Sequence, residues 1–205
     1  MENEPENKIP VTAEENEKEE KKKRTALSYI LEGVIYIALI FACVYIVPNY
    51  VVQRTVVSGE SMQDTLQDEE SLLIDKISYR FSDPKRYDII VFYPKGREVE
   101  EFYVKRIFGL PGETIQIKGD DIYINGEKID DPYAKDSMED AGIAPKPYKL
   151  ADDEYFVLGD HRSASIDSRI MPDDPLEGPG PVKFENIAGR VFLRIWPLKK
   201  FGIPK

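Results

Sequence analysis

One cysteine and one histidine are all that this chain of 205 residues offers of two side chains on which much enzyme chemistry depends. Cys43 has no partner in the chain, so no intrachain disulfide forms, and cysteine pairing says nothing about the redox compartment. With His161 alone, a multi-histidine metal site is excluded, and a Ser-His-Asp mechanism would rest on that one ring. Basic charge is also short: 28 Lys and Arg stand against 38 Asp and Glu, a net charge of -10. An acidic chain with no basic stripe argues against nucleic acid as a partner. The excess of acid reads most simply as solubility. Pro and Gly are in ordinary supply, so the chain is not of low complexity.

Residues 1–24 are rich in Glu, Asn and Lys and lack aromatics. Such a stretch buries too little apolar surface to offset its ordering entropy, and a disordered tail is predicted. It closes on the cationic run Lys21-Lys22-Lys23-Arg24. Residues 26–47, ALSYILEGVIYIALIFACVYIV, follow with Glu32 as their one charge. Their 22 residues are enough to cross about 30 Å of hydrocarbon as a helix. The run is longer than the apolar part of a cleavable leader, and no clean small-x-small site follows it, so it is expected to remain as an anchor in membrane lipid. Cations ahead of the span predict a cytoplasmic N-terminus and place residues 48–205 on the outer side.

Beyond the anchor the pattern changes. VVQRTVV (51–57), SLLIDKIS (71–78), YDIIVFYP (87–94), EFYVKRIFGL (101–110), EYFVLGD (154–160) and GRVFLRIWPL (189–198) are short runs rich in Val, Ile, Phe and Tyr. TIQIKGDDIYING (114–126) alternates about a Gly-Asp-Asp turn and predicts a hairpin. No long helix competes with these runs. A mainly β domain of packed antiparallel sheets, or a partly open barrel, is expected over 48–205. The Pro-, Lys- and Asp-rich stretch 131–150 is expected as an exposed insertion.

Two positions stand out chemically. A serine hydroxyl is a weak nucleophile that needs an adjacent base. A lysine serves if burial lowers its pKa from about 10.4, because desolvation disfavours the ammonium. Lys105 lies in the apolar run FYVKRIF, where strand geometry puts it on one face with Tyr103 and Ile107 and turns Arg106 the other way. Ser61 lies in the turn SGESMQDTL, which can aim a hydroxyl and a backbone N–H at one carbonyl. Singly, each has a plainer reading: a serine in a Gly turn is usually structural, and a strand lysine usually snorkels to water. LGDHRSASIDSR (158–169) alone would read as a polar loop.

Together, SGESMQDTL, YDIIVF, YVKRIFGLPGE, LGDHRSASIDSR and GRVFLRIWPL resemble, in order and spacing, the boxes of the type I signal peptidases, the bacterial leader peptidase family. The resemblance covers residues 25–200 and implies a mainly β fold, a serine–lysine dyad, no cofactor and no metal. It implies as substrates the signal peptides of exported preproteins, with small residues at the −1 and −3 positions. By motif, Ser61 matches the nucleophile and Lys105 the general base. Ser165 matches the serine that hydrogen-bonds the lysine, and Asp167 and Arg169 match a supporting pair. Met62 matches a residue lining the site. Gly59 stands where some members carry a serine that donates to the oxyanion. Two more positions depart from the pattern: Asp64 replaces a usual proline and His161 a usual asparagine. Those two favour a competing reading, a catalytically silent, membrane-anchored relative that binds export substrates. The presence of Ser61, Lys105, Ser165, Asp167 and Arg169 favours an enzyme. A soluble self-cleaving repressor-type protease would lack the anchor.

Overall fold

The computed structural model describes residues 13–63, 65–99, 101–134 and 136–204. Two compact units divide at Val47/Pro48. The first contains a helix, α1 (Ala13–Phe41), which continues in wider π-type turns over Ala42–Val51. Its apolar part, Leu27–Val51, is 25 residues long, enough to cross a bilayer. The helix begins within the stretch whose composition predicts disorder. Glu and Lys are strong helix formers, and a helix already nucleated by the apolar segment extends into them at little cost. Residues 1–12 of that tail lie outside the described residues.

The second unit is built from antiparallel strands: β1 (Val52–Val56), β2 (Ser71–Asp75), β3 (Ile89–Phe92), β4 (Tyr103–Gly109), β5 (Thr114–Lys118), β6 (Asp121–Ile124), β7 (Glu127–Lys128), β8 (Tyr148–Lys149), β9 (Glu154–Leu158), β10 (Val182–Lys183) and β11 (Ile187–Trp196). Among the described residues they form a seven-stranded sheet, β1-β2-β11-β3-β4-β9-β10, and a four-stranded sheet, β7-β6-β5-β8. In a flat sheet β1 and β4 would stand roughly 19 Å apart, at about 4.8 Å per strand. The turn after β1 nevertheless touches β4, so the large sheet is curled into a half-barrel. The curl has a local cause: β11 runs ten residues between β2 and β3, with register shifts against both neighbours. Bulges of this kind bend a strand and increase its twist.

The predicted hairpin is β5–β6, with Lys118 opposite Asp121. Ile115, Ile117, Ile122 and Ile124 all face inward. They pack with Phe108, Phe156 and Leu150 into one core cluster, and Leu72, Ile74, Val91 and Met62 contribute to a second.

The stretch 131–150 differs from the exposed insertion expected of its composition. Met138, Ala144 and Leu150 are buried in the core of the smaller sheet, and Tyr148–Lys149 forms its edge strand. The apolar anchors are far apart and follow no period. The acids ahead of them are engaged: Asp131 pairs with Arg162 at 2.5 Å, and Asp136 accepts the backbone N–H groups of Arg162 and Ser163 at 2.8 and 2.7 Å.

Candidate active site

The turn after β1 is anchored on both sides of Ser61. Met62 and Leu66 are fully buried with Val57 in one cluster. The Gln63 N–H donates to the Glu60 carbonyl at 2.9 Å, and the Leu66 N–H donates to the Met62 carbonyl at 2.6 Å. Gly59 enters the turn at φ +100°, a conformation costly for any side chain, and its N–H donates to Asp68 Oδ1 at 3.0 Å.

Lys105 sits in β4 opposite Ile90 and is 4% exposed. Its Nζ lies 2.6 Å from Ser61 Oγ and 5.1 Å from the centre of the Tyr103 ring. Burial pushes its pKa down from 10.5 to about 8. Asp167 and Asp160 pull it back up, and Arg169 adds to the lowering. Desolvation is the leading cause, and it favours the neutral amine.

Behind the lysine, Asp167 and Arg169 form a two-point pair, Nε to Oδ1 at 2.8 Å and Nη2 to Oδ2 at 3.0 Å. Asp167 Oδ2 also accepts the Gly159 N–H at 3.1 Å. Arg169 ties the loop down further, donating to the carbonyls of Arg162 at 2.7 Å and Asp140 at 3.1 Å. The pair expected from the motif is thus formed, and it closes the 159–169 loop on itself.

Ser165 differs from expectation. It is buried, but its Oγ has no hydrogen-bond partner among the described residues, and Lys105 is directed at Ser61 instead. Its hydroxyl does lie beside the dyad. A Cβ added at Gly159 would collide with both Ser165 Oγ and the Ser61 carbonyl oxygen, so only glycine fits there.

A groove of about 540 Å³ opens over the dyad. One wall is the end of β1 and the chain through Met62. The other is Glu101–Lys105, and Ala164 and Ile166 close one side. Buried lysine, nearby serine hydroxyl and an open groove between two strand segments suit peptide-bond hydrolysis.

Residues 28–196 match the family model for signal peptidase, peptidase S26. The chain belongs to this family. As a member, it is a serine endopeptidase that removes signal peptides. It is similar to a signal peptidase I of Leptolyngbya laminosa, 35% identical over 85% of this chain and 84% of that one. It is also similar to signal peptidase I P of Bacillus subtilis subsp. natto, 36% identical over 90% and 96% respectively. A crystal structure of a signal peptidase I from Enterococcus faecalis V583 aligns at a TM-score of 0.40 and 30% identity, over 53% of this chain and 97% of that one.

Three contacts in this signal peptidase's site were not foreseen from sequence, although Arg106 and His161 themselves were noted there. Arg106 and Asp160 form a fully buried ion pair, at 3.0 and 2.7 Å, which also accepts Thr65 Oγ1 at 2.5 Å. The Arg106 guanidinium stacks 3.6 Å over Tyr133. This pair joins the strand carrying Lys105, the turn carrying Ser61 and the 159–169 loop. The third is made by His161, whose backbone N–H donates to the Ser61 carbonyl at 3.1 Å. The signal available in sequence was adjacency alone: Arg106 follows the lysine, and Asp160 and His161 open the last motif. Asp64 lies outside the described residues.

Proposed function

We propose that the endopeptidase acts through a Ser61–Lys105 dyad on preproteins bound at the outer face of a membrane, with α1 as a single-pass anchor and its N-terminus cytoplasmic. The observation that carries this reading is the 2.6 Å approach of Lys105 Nζ to Ser61 Oγ, at an amine whose pKa burial holds near 8. Neutral Lys105 takes the Ser61 proton as Oγ attacks the scissile carbonyl. The Ser61 N–H donates to the oxyanion. Collapse of the tetrahedral intermediate passes the proton from Lys105 to the leaving amine and leaves an acyl-enzyme. Lys105 then deprotonates the water that releases the signal peptide. Rotation of the Ser165 hydroxyl toward Nζ would give that buried group a partner and hold the amine on line. Asp167 and Arg169 keep Ser165 in place.

The signal peptide lies extended in the groove, pairing with the chain leading into β4 and the end of β1. Val57, Met62 and Val104 line it, and an apolar lining of this kind would suit small side chains at −1 and −3. Exposed Trp196, Leu198, Phe201 and Ile203, beside Lys199 and Lys200, suit the headgroup region of a bilayer.

The test uses the full chain in detergent micelles and a preprotein with an Ala-x-Ala site. Turnover should rise with pH through about 8, since only the neutral amine is a base. Ser61→Ala should abolish cleavage with the melting temperature retained. Lys105→Arg should be inactive at every working pH, because the guanidinium stays charged. Turnover by either variant near the parent rate overturns the dyad.

A further inference from the structure

In the loop that follows β9, His161 contacts the nucleophile turn twice. The His161 backbone N–H donates to the Ser61 carbonyl at 3.1 Å, and its ring Nδ1 lies 3.2 Å from the Glu60 carbonyl oxygen. These are consecutive carbonyls, on either side of the residue with the attacking hydroxyl. The second matters more, because the Glu60 C=O and the Ser61 N–H belong to one peptide plane. In a trans peptide they point in opposite directions. Fixing the Glu60 carbonyl therefore fixes the direction of the Ser61 N–H, the donor on which oxyanion stabilisation rests.

We propose that His161 is a positioning residue that aims the Ser61 N–H into the groove by holding the Glu60 carbonyl with its ring Nδ1–H. This rests on the assignment of Ser61 as nucleophile. His161 does not line the groove, whereas Ser61 does, so a carbonyl drawn toward His161 turns its N–H toward the substrate. The Ser61 N–H has no partner among the described residues, as an unoccupied donor should. The Glu60 oxygen has two lone pairs, and its second partner is the Gln63 N–H at 2.9 Å. The donor is thus held from outside the turn by His161 and from inside by Gln63.

Hydrogen-bond chemistry fixes the tautomer. A carbonyl only accepts, so Nδ1 carries a proton. The neutral Nδ1–H ring satisfies that bond, and so the clamp persists at alkaline pH, where Lys105 is neutral. Nε2 faces Asp136 at 3.9 Å, beyond hydrogen-bond distance. Asp136 instead fixes the backbone immediately after His161, through the N–H groups of Arg162 and Ser163. The stretch 131–150 in this way sets the position of the ring, and the ring sets the peptide plane.

Asparagine and glutamine separate this role from general loop stability. The Asn amide nitrogen can occupy the place of His Nδ1, whereas Gln reaches the place of Nε2. The full chain in micelles is assayed for kcat, KM and inhibition by a peptide aldehyde, whose serine adduct carries a tetrahedral oxyanion. His161→Ala should lower kcat roughly tenfold, below the 10²–10³ of a lost oxyanion donor, because the N–H remains but is no longer aimed. KM should change less than about twofold, and aldehyde affinity should fall by the same factor as kcat. His161→Asn should recover most of the loss and His161→Gln little of it. An unchanged kcat in His161→Ala, a loss confined to KM, or equal behaviour of Asn and Gln overturns the proposal. If His161→Ala does not fold, the Asn–Gln comparison decides alone. Ser61→Ala runs in parallel: continued cleavage there overturns the nucleophile itself, a result distinct from failure of the clamp.

Discussion

Lys105→Met should make the protein inactive and more stable. A buried amine whose pKa falls from 10.5 to about 8 is charged in the folded state at neutral pH, against the preference of its surroundings. At about 1.4 kcal/mol per pKa unit, the folded state bears roughly 3 kcal/mol on this account. Methionine is similar in length and apolar, so it removes that cost. It also loses the contact of the charged amine with Ser61 Oγ, worth about 2 kcal/mol. A net gain of about 1 kcal/mol remains, which for a domain of this size is roughly 2–4 °C in melting temperature. The sign of the pH dependence follows from linkage. Between about 8 and 10.5 the unfolded lysine holds a proton that the folded one has lost, so wild-type stability rises with pH across that window. The advantage of the methionine variant should be complete below pH 8 and shrink as pH climbs toward 10.5. Thermal unfolding of both proteins in micelles at pH 6, 8 and 9.5 measures this. Equal stability at pH 6, or an advantage that does not shrink by pH 9.5, would refute the desolvation argument.

Breaking the buried Arg106–Asp160 pair from one side, by Asp160→Ala, should cost about 3–5 kcal/mol in denaturant unfolding, because a lone guanidinium is left in the interior. The paired change Arg106→Met with Asp160→Leu should cost less than that single change. Gly159→Ala should cut turnover strongly, since its methyl must displace the Ser61 carbonyl or Ser165; near-normal kcat would show that the loop yields there. Protease added outside intact cells should reach an epitope at the C-terminus and miss one at Met1, and the reverse pattern would invert the proposed orientation.

Much of this was legible in the residues, for identifiable reasons. The apolar helix and the β5–β6 hairpin carry periodic or uninterrupted apolar signals that survive without tertiary context. Lys105 stood out because a cation inside FYVKRIF conflicts with its neighbours, and such conflicts gather at functional sites. The stretch 131–150 was misread because Met138, Ala144 and Leu150 follow no period, and its acids looked like solvated surface until Arg162 supplied a partner. Arg106 was read as pointing away from Lys105, which is correct. That the opposite direction is also interior follows only from the smaller sheet and Tyr133 covering it, which no local pattern announces.

The place of β11 has a consequence for how the protein is made. It is the last of the described strands in chain order, yet it lies between β2 and β3 near the middle of the large sheet. Until Ile187–Trp196 inserts, the half of the sheet bearing Ser61 has no strand to join it to the half bearing Lys105. The sheet therefore links the turn bearing Ser61 to the strand bearing Lys105 only once β11 has been made. A chain not yet made as far as β11 would in this way be inert. β11 works like a safety catch, released once when it inserts. Truncation before Ile187 should leave an anchored but unarmed chain.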